Sequence, residues 1–228
     1  MKRFTEPPFW EDILEEKEEP FFNSLIDNFD VIEKEILRLY KLSKFLKFFW
    51  KYPVQKSDLK LSNWWFIEES TRWTVAPVFG GKNDALVRRR AKKFFLIASE
   101  PLSFLVRFLC PQMSKILKFY FDKKILLNST INIIYPGSVI GPHIHPVFDH
   151  KHRMNYHLCI TEDPAAELTV GYETKTWKKG KIVAFKNSGP YRHSVVHKGK
   201  DIRIILMAEI DVDYLKSYGV YRGQRIKD

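Results

Sequence analysis

From residue 126 onward the chain is a series of short β-rich runs cut by turn chemistry, and no other feature limits its fold as much. Ser129–Tyr135 runs into Pro136-Gly137, and His152–Ile160 runs towards Asp163-Pro164. Glu167–Gly171 and Lys181–Lys186 lead to Ser188-Gly189-Pro190, after which His193–His197 meets Lys198-Gly199-Lys200. Short strands separated in this way build a sandwich or a barrel. The last run, Asp201–Asp211, is apolar at nearly every position, as a strand covered on both faces is, and is therefore expected at the centre of a sheet.

Upstream the periodicity changes. Residues 24–50 carry Leu25, Ile26, Phe29, Ile32, Ile36, Leu39 and Tyr40 at helical spacing with charges between them, which predicts one amphipathic helix. Its continuation, Lys44–Trp50, mixes basic and aromatic side chains and admits two readings, a helix packed on a sheet or a peripheral membrane contact. Segment 54–84 reads as short strands and loops around a Gly80-Gly81 turn, and 85–122 as helical again, with Pro111 breaking or starting a helix after Cys110. At 228 residues, with 45% hydrophobic residues, the chain is long and apolar enough for one sizeable core. The expected organisation is one domain over 1–228, with residues 1–125 mainly helical support and 126–228 an antiparallel double sheet.

No apolar leader follows the basic start, and no uninterrupted run approaches the roughly 18 apolar residues of a spanning helix. A cytoplasmic location is the expectation, with Cys110 and Cys159 as reduced, buried thiols in no metal-ligand spacing. The formal charge of +11 raises nucleic acid or an anionic membrane as partners. Much of that charge is spread through Lys-rich helices, and the Arg88–Lys93 run lacks an accompanying base-stacking strand motif, so nucleic acid is disfavoured.

The histidines fall in two places. One stretch runs from Gly141-Pro142-His143-Ile144-His145-Pro146 through His150 and His152 to His157, and the other holds His193 and His197. Strand residues two apart share a face, which pairs His143 with His145 and groups Arg153, Asn155 and His157. Imidazoles from two separate strands suit a divalent metal of the Fe, Zn, Ni or Cu class, although histidines in such a stretch can also be surface or core residues. Arg203 adds weight, because an arginine inside Ile202-Arg203-Ile204-Ile205-Leu206 is costly to bury without an anionic partner. Its planar guanidinium matches a carboxylate in two-pronged fashion; the alternative is a structural ion pair with Glu209 or another acid.

Taken in order and spacing, NIIYPGSVIGPHIHP, RMNYHL, TWKKGKIVAF, NSGPYRHSV and DIRIILMAEI resemble the catalytic domain of the aspartyl/asparaginyl β-hydroxylases. The ten-residue step from His193 to Arg203 is the most specific feature, and FFNSLIDNFDVIEKEI and LCPQM extend the likeness upstream. The resemblance implies an α+β fold, a double-stranded β-helix (jelly-roll, cupin-like) core with N-terminal helices packed against it. It implies a dioxygenase using Fe(II), 2-oxoglutarate as cosubstrate and O2 to hydroxylate a C–H bond, with the β-carbon of an Asp or Asn residue, or a related amino-acid, peptide or protein substrate, as the target.

Carried over residue by residue, the resemblance makes His143 and His193 iron ligands and Arg203 the partner of the distal carboxylate of 2-oxoglutarate. Asn132 stands where the family often has a serine helping that carboxylate, and His157 matches a histidine near the metal-bound end. Asn155 replaces the usual arginine, and Arg153, one pleat earlier, is the candidate substitute. His145 is a third ligand, a substrate contact or an exposed residue; His150 and His152 are expected at the surface. Trp177 and Gly180 match a family turn and are read as structural. No acid or base beyond the metal ligands is required. The competing reading is a cupin-like metal-binding protein or a three-histidine thiol dioxygenase that makes no use of 2-oxoglutarate.

Overall fold

The computed structural model describes residues 6–46, 73–80, 103–144, 152–187 and 189–220. Among the described residues nine strands form two sheets: β1 (Trp73–Phe79), β2 (Leu126–Ile134), β3 (Val139–His143), β4 (Arg153–Thr161), β5 (Ala166–Val170), β6 (Glu173–Thr176), β7 (Ile182–Lys186), β8 (His193–His197) and β9 (Arg203–Asp211). One sheet runs β1-β2-β9-β4-β7 and the other β3-β8-β5-β6, with every neighbouring pair antiparallel. The sheets face each other through a core that joins Ile134, Cys159, Phe185 and Ile205 of the first to Ile140, Leu168, Val170 and Val195 of the second. This is the antiparallel double sheet expected of the tail of short strands, and the jelly-roll core that the resemblance implies.

β9 shows how the sequence makes the sheet. Ile204, Leu206, Ala208 and Ile210 point to one side, into the larger core shared with the helices, while Ile205 points to the other, between the sheets. Both faces are covered, so a nearly unbroken apolar run is what this strand needs, and it lies at the centre of the five-stranded sheet. Period-2 alternation then places Arg203 and Glu209 on the inner face with Ile205.

The helices α1 (Glu11–Glu16), α2 (Pro20–Asp27), α3 (Phe29–Leu46) and α4 (Pro111–Asp122), together with a helical segment over 103–109, precede the β-rich tail, and α5 (Val212–Ser217) follows β9. Where one helix was expected over 24–50, the structure has two. Asn28 ends α2 by turning its Nδ2 back onto the Ser24 carbonyl at 2.8 Å, and α3 starts at the next residue. The apolar period runs through the break because Leu25 of α2 and Ile32 and Ile36 of α3 enter the same core. Residues 47–50 lie outside the described residues, as do Gly81 and the Arg88–Lys93 run. Pro111 does start a helix, at N1 of α4. The first-turn amides there, which have no intrahelical acceptor, are met from α3, where the Glu35 carboxylate accepts from Gln112 N at 3.0 Å and Met113 N at 2.9 Å.

Segment 54–84 contributes a full strand, β1, which extends the five-stranded sheet upstream of the turn-rich tail. It ends at Gly80, with φ +92°, where a Cβ would stand 2.4 Å from the Leu127 carbonyl oxygen; only glycine lets the chain pass so close to β2. Near the N-terminus, Trp10 N donates to the Ala184 carbonyl at 2.8 Å, so the segment before α1 covers the outer edge of β7. Cys110 and Cys159 are free and buried. Among the described residues no helix is long and apolar enough to cross a membrane.

A buried carboxylate ties the helices to the sheet. Glu19, fully buried, accepts from Phe21 N (3.0 Å), Phe22 N (2.7 Å), Tyr156 OH of β4 (3.1 Å) and Tyr214 OH of α5 (2.9 Å). Alanine at Glu19 uncaps α2 and strands the hydroxyls of buried Tyr156 and half-buried Tyr214, so a loss of about 2–4 kcal/mol is expected. Urea unfolding checks this through the midpoint at constant slope; a shift worth less than about 0.5 kcal/mol would mean that solvent reaches these groups.

Candidate metal centre and its buried arginine

His193 and Val195 lie two apart on β8, and Val195 belongs to the inter-sheet core, so His193 also points inward. Its partner across the ladder is His143, and a register irregularity makes it so. Ile140 pairs with Val195, which in a regular ladder would set Pro142 opposite His193; instead the strand takes one extra residue at Gly141-Pro142. A bulge of this kind re-aims the following side chain. The two imidazoles thereby meet at 4.2 Å between ring centroids, tilted by 53°. His143 Nδ1 lies 2.8 Å from the Gly141 carbonyl oxygen. A carbonyl only accepts, so Nδ1 carries the proton and Nε2 the lone pair, the tautomer a metal ligand needs. Burial also holds His143 below the usual imidazole range, only partly opposed by that hydrogen bond, which keeps the ring neutral at pH 7.

From this pair a file of rings leads inward. His193 packs on Phe185 at 4.9 Å, Phe185 meets His157 edge-on at 5.0 Å, and His157 lies nearly parallel to Trp177 at 6.2 Å. The far face of the file is Arg203, whose Cζ stands 3.5 Å from the centre of the Trp177 ring. Arg203 is 1% exposed, and its Nε and Nη1 are buried without a hydrogen-bond partner. Burial pulls its pKa down to about 9, with the Cys159 thiol opposing, and the guanidinium stays charged at neutral pH. Asn132, 2% exposed, shares the inner face of β2 with Ile134, the residue that pairs with Arg203, so the two polar side chains are diagonal neighbours.

The ion pair considered for Arg203 goes elsewhere. Glu209 is six residues along the same strand, about 20 Å away in extended chain, and its Oε2 accepts from Arg153 Nη1 at 2.7 Å. Asn187 Nδ2 bridges Glu209 Oε1 at 3.0 Å and Asn155 Oδ1 at 2.9 Å. Arg153 and Asn155, both suggested by the sequence as cosubstrate contacts, therefore belong to one buried network at the opposite end of β9 from Arg203. His197 is not part of the histidine pair. It pins the β8–β9 turn, with Nε2 donating to the Asp201 carbonyl at 2.7 Å and Nδ1 accepting from Gly199 N at 3.3 Å. His152 is exposed, as expected. His145 and His150 lie outside the described residues; among the described residues no third His, Cys, Asp or Glu joins His143 and His193 in a metal-holding cluster. Trp177 and Phe185 both lie in the TWKKGKIVAF segment, where the sequence reads Trp177 as structural; the strand order brings them between the histidines and the arginine.

The profile of the Aspartyl/Asparaginyl beta-hydroxylase family matches residues 27–212. Aspartate beta-hydroxylase domain-containing protein 2 of Mus musculus is 26% identical over 107 residues, 44% of this chain and 30% of its own length. Its counterpart in Xenopus tropicalis is 27% identical over the same span, 28% of its length. The matched part thus spans less than a third of these curated relatives. Among solved structures, an oxidoreductase of the 2OG-Fe(II) oxygenase family from Burkholderia pseudomallei overlaps 45% of this chain and 46% of its own, at 15% identity and TM-score 0.33. The viral collagen prolyl hydroxylase of Paramecium bursaria Chlorella virus-1, in its 2OG complex, overlaps 46% of this chain and 71% of its own, at 13% identity and TM-score 0.34.

Proposed function

The chain belongs to the aspartyl/asparaginyl β-hydroxylase family, and on that premise we propose that it is an iron(II)- and 2-oxoglutarate-dependent hydroxylase. Its proposed target is the β-carbon of an Asp or Asn residue, or a related amino-acid or peptide substrate. The observation that carries the reading is the buried Arg203 guanidinium, with no acid beside it among the described residues and two nitrogens lacking acceptors. An uncompensated buried cation is strongly destabilising unless an anion arrives to pair with it, and a dicarboxylic cosubstrate is such an anion. A zinc module or a three-histidine thiol dioxygenase has no use for that arginine.

The residues fit the groups the family implies. His143, through Nε2, and His193 would hold the iron, and the distal carboxylate of 2-oxoglutarate would pair with Arg203 with help from Asn132. His157 sits between, one ring from His193 through Phe185 and one from Arg203 through Trp177, suited to the metal-bound end of the cosubstrate. When bound, iron, 2-oxoglutarate and O2 supply the oxidation, in which one oxygen atom ends in succinate as CO2 leaves and the other enters the substrate C–H bond. What the chain supplies is orientation and dryness: the Gly141 carbonyl fixes the tautomer of His143, and Phe185 and Trp177 exclude water along the path to Arg203. The Arg153–Glu209–Asn187–Asn155 network is joined by three hydrogen bonds and braces the opposite end. His145 stays a candidate for the third coordination position or for substrate contact.

The test is succinate release from 2-oxoglutarate by the purified, iron(II)-loaded protein, with a search of peptides and amino acids for gain of one oxygen atom. Iron- and 2-oxoglutarate-dependent succinate formation is expected even before a substrate is found, as slow uncoupled turnover. Binding of metal without any 2-oxoglutarate binding would overturn the proposal in favour of a cupin-like metal protein.

A further inference from the structure

Trp177 lies outside the strands, in the turn between β6 and β7, yet it is the largest of the fully buried side chains described, at 1% exposure. Its Nε1 is buried with no hydrogen-bond partner. An indole N–H left so is destabilising, and a leucine or phenylalanine could fill apolar space without that cost. Filling space therefore does not account for a tryptophan here. Two other contacts do: the Arg203 guanidinium rests on one region of its face at 3.5 Å, and the His157 ring lies within 15° of parallel to it.

A buried guanidinium can be stabilised by an acid or by an aromatic face, and the two leave it in different states. An acid occupies the in-plane N–H groups, which are then lost to any ligand. An aromatic face attracts the cation from above and leaves those N–H groups unspent. Arg203 is in the second state, with Nε and Nη1 unpartnered. We propose that Trp177 is a positioning residue that holds the Arg203 guanidinium on its ring, beside the nearly parallel His157 ring, keeping the arginine's in-plane donors available and thereby selecting a 2-oxoacid with a distal carboxylate. This rests on the reading of Arg203 given above and deepens it. The turn tryptophan, taken from the sequence as structural, becomes part of the cosubstrate specificity device.

The experiment compares calorimetric binding of 2-oxoglutarate and of 2-oxovalerate, which lacks the distal carboxylate, to manganese(II)-loaded protein without oxygen. Trp177→Leu is expected to weaken 2-oxoglutarate by about 10-fold or more, the scale of a desolvated cation–aromatic contact, and Trp177→Phe by less. Manganese affinity and 2-oxovalerate binding should change little, so the preference for the diacid collapses. Equal losses for both acids in both variants would make Trp177 a packing residue and overturn the inference while the reading of Arg203 stands. A wild-type protein that does not prefer 2-oxoglutarate would overturn that reading itself. Should Trp177→Leu fail to fold, the wild type still decides. The Arg203 Nε–H proton resonance must be shifted upfield by the indole ring current and must move back in Trp177→Phe, whose ring current is weaker; an ordinary, unmoved resonance overturns the inference.

Discussion

Alanine at His143 or at His193 is expected to abolish 2-oxoglutarate turnover, each alone, with iron content falling in parallel. Among the described residues no third His, Cys, Asp or Glu joins the pair, so either change removes half of the described ligand set. Removing even the outer partners of metal ligands lowers affinity or activity by about 10- to 100-fold; loss of a ligand should exceed that range. The fold should survive, because His143 is only partly buried and His193 sits beside Phe185 and not in the larger helix-packed core. Iron affinity by competition with a chelator and succinate release are the measurements, with far-ultraviolet circular dichroism as the control for folding. Full activity in both single variants would end the assignment. The bulge supplies a control: deleting Pro142 removes its extra residue and leaves His143 opposite His193 in a regular ladder, so iron binding should be retained in that variant.

That bulge marks where local reading stops. Alternation along Asp201–Asp211 shows in the sequence that Arg203 opposes Ile204 and Leu206, and the structure places it so, because a centre strand covered on both faces obeys the two-residue period. The same period applied to Gly141–His145 assumes a regular strand, and the extra residue at Gly141-Pro142 breaks that assumption before His143. β6, with sequence Glu173–Thr176, carries no apolar alternation, since it is an edge strand with half-exposed side chains, and it forms through pairing with β5. The α2–α3 break is hidden for the opposite reason, as both helices feed one core and keep one period. Partner choice is the other limit. Glu209 is the nearest acid to Arg203 in the downstream sequence, yet an extended strand carries it about 20 Å away, and Arg153, fifty-six positions earlier, takes it instead. Trp177 reaches Arg203 only because β6 and β7 belong to different sheets and the turn between them crosses from one to the other.

Replacing Arg203 by methionine separates affinity from stability in a way few substitutions do. The guanidinium is charged, buried and, among the described residues, without an acid, so in the ligand-free protein it costs desolvation that the Trp177 face offsets in part. Methionine keeps most of the volume and removes the charge, and the ligand-free variant is therefore expected to unfold at a temperature no lower than the wild type's. Cosubstrate binding should respond in the opposite sense. Losing one member of a buried, hydrogen-bonded charge pair costs about 2–5 kcal/mol, which is roughly 30- to several-thousand-fold in the 2-oxoglutarate dissociation constant. Iron affinity should be nearly unchanged, because Arg203 lies three rings away from His193 through Trp177, His157 and Phe185. Saturating 2-oxoglutarate should also stabilise the wild type against heat and leave the variant unmoved. The converse pattern, lower stability with unchanged 2-oxoglutarate affinity, would mean that the arginine serves the fold through its aromatic contact and that the carboxylate of the cosubstrate is held elsewhere. Thermal unfolding with and without 2-oxoglutarate, on wild type and variant side by side, reads both quantities in one measurement.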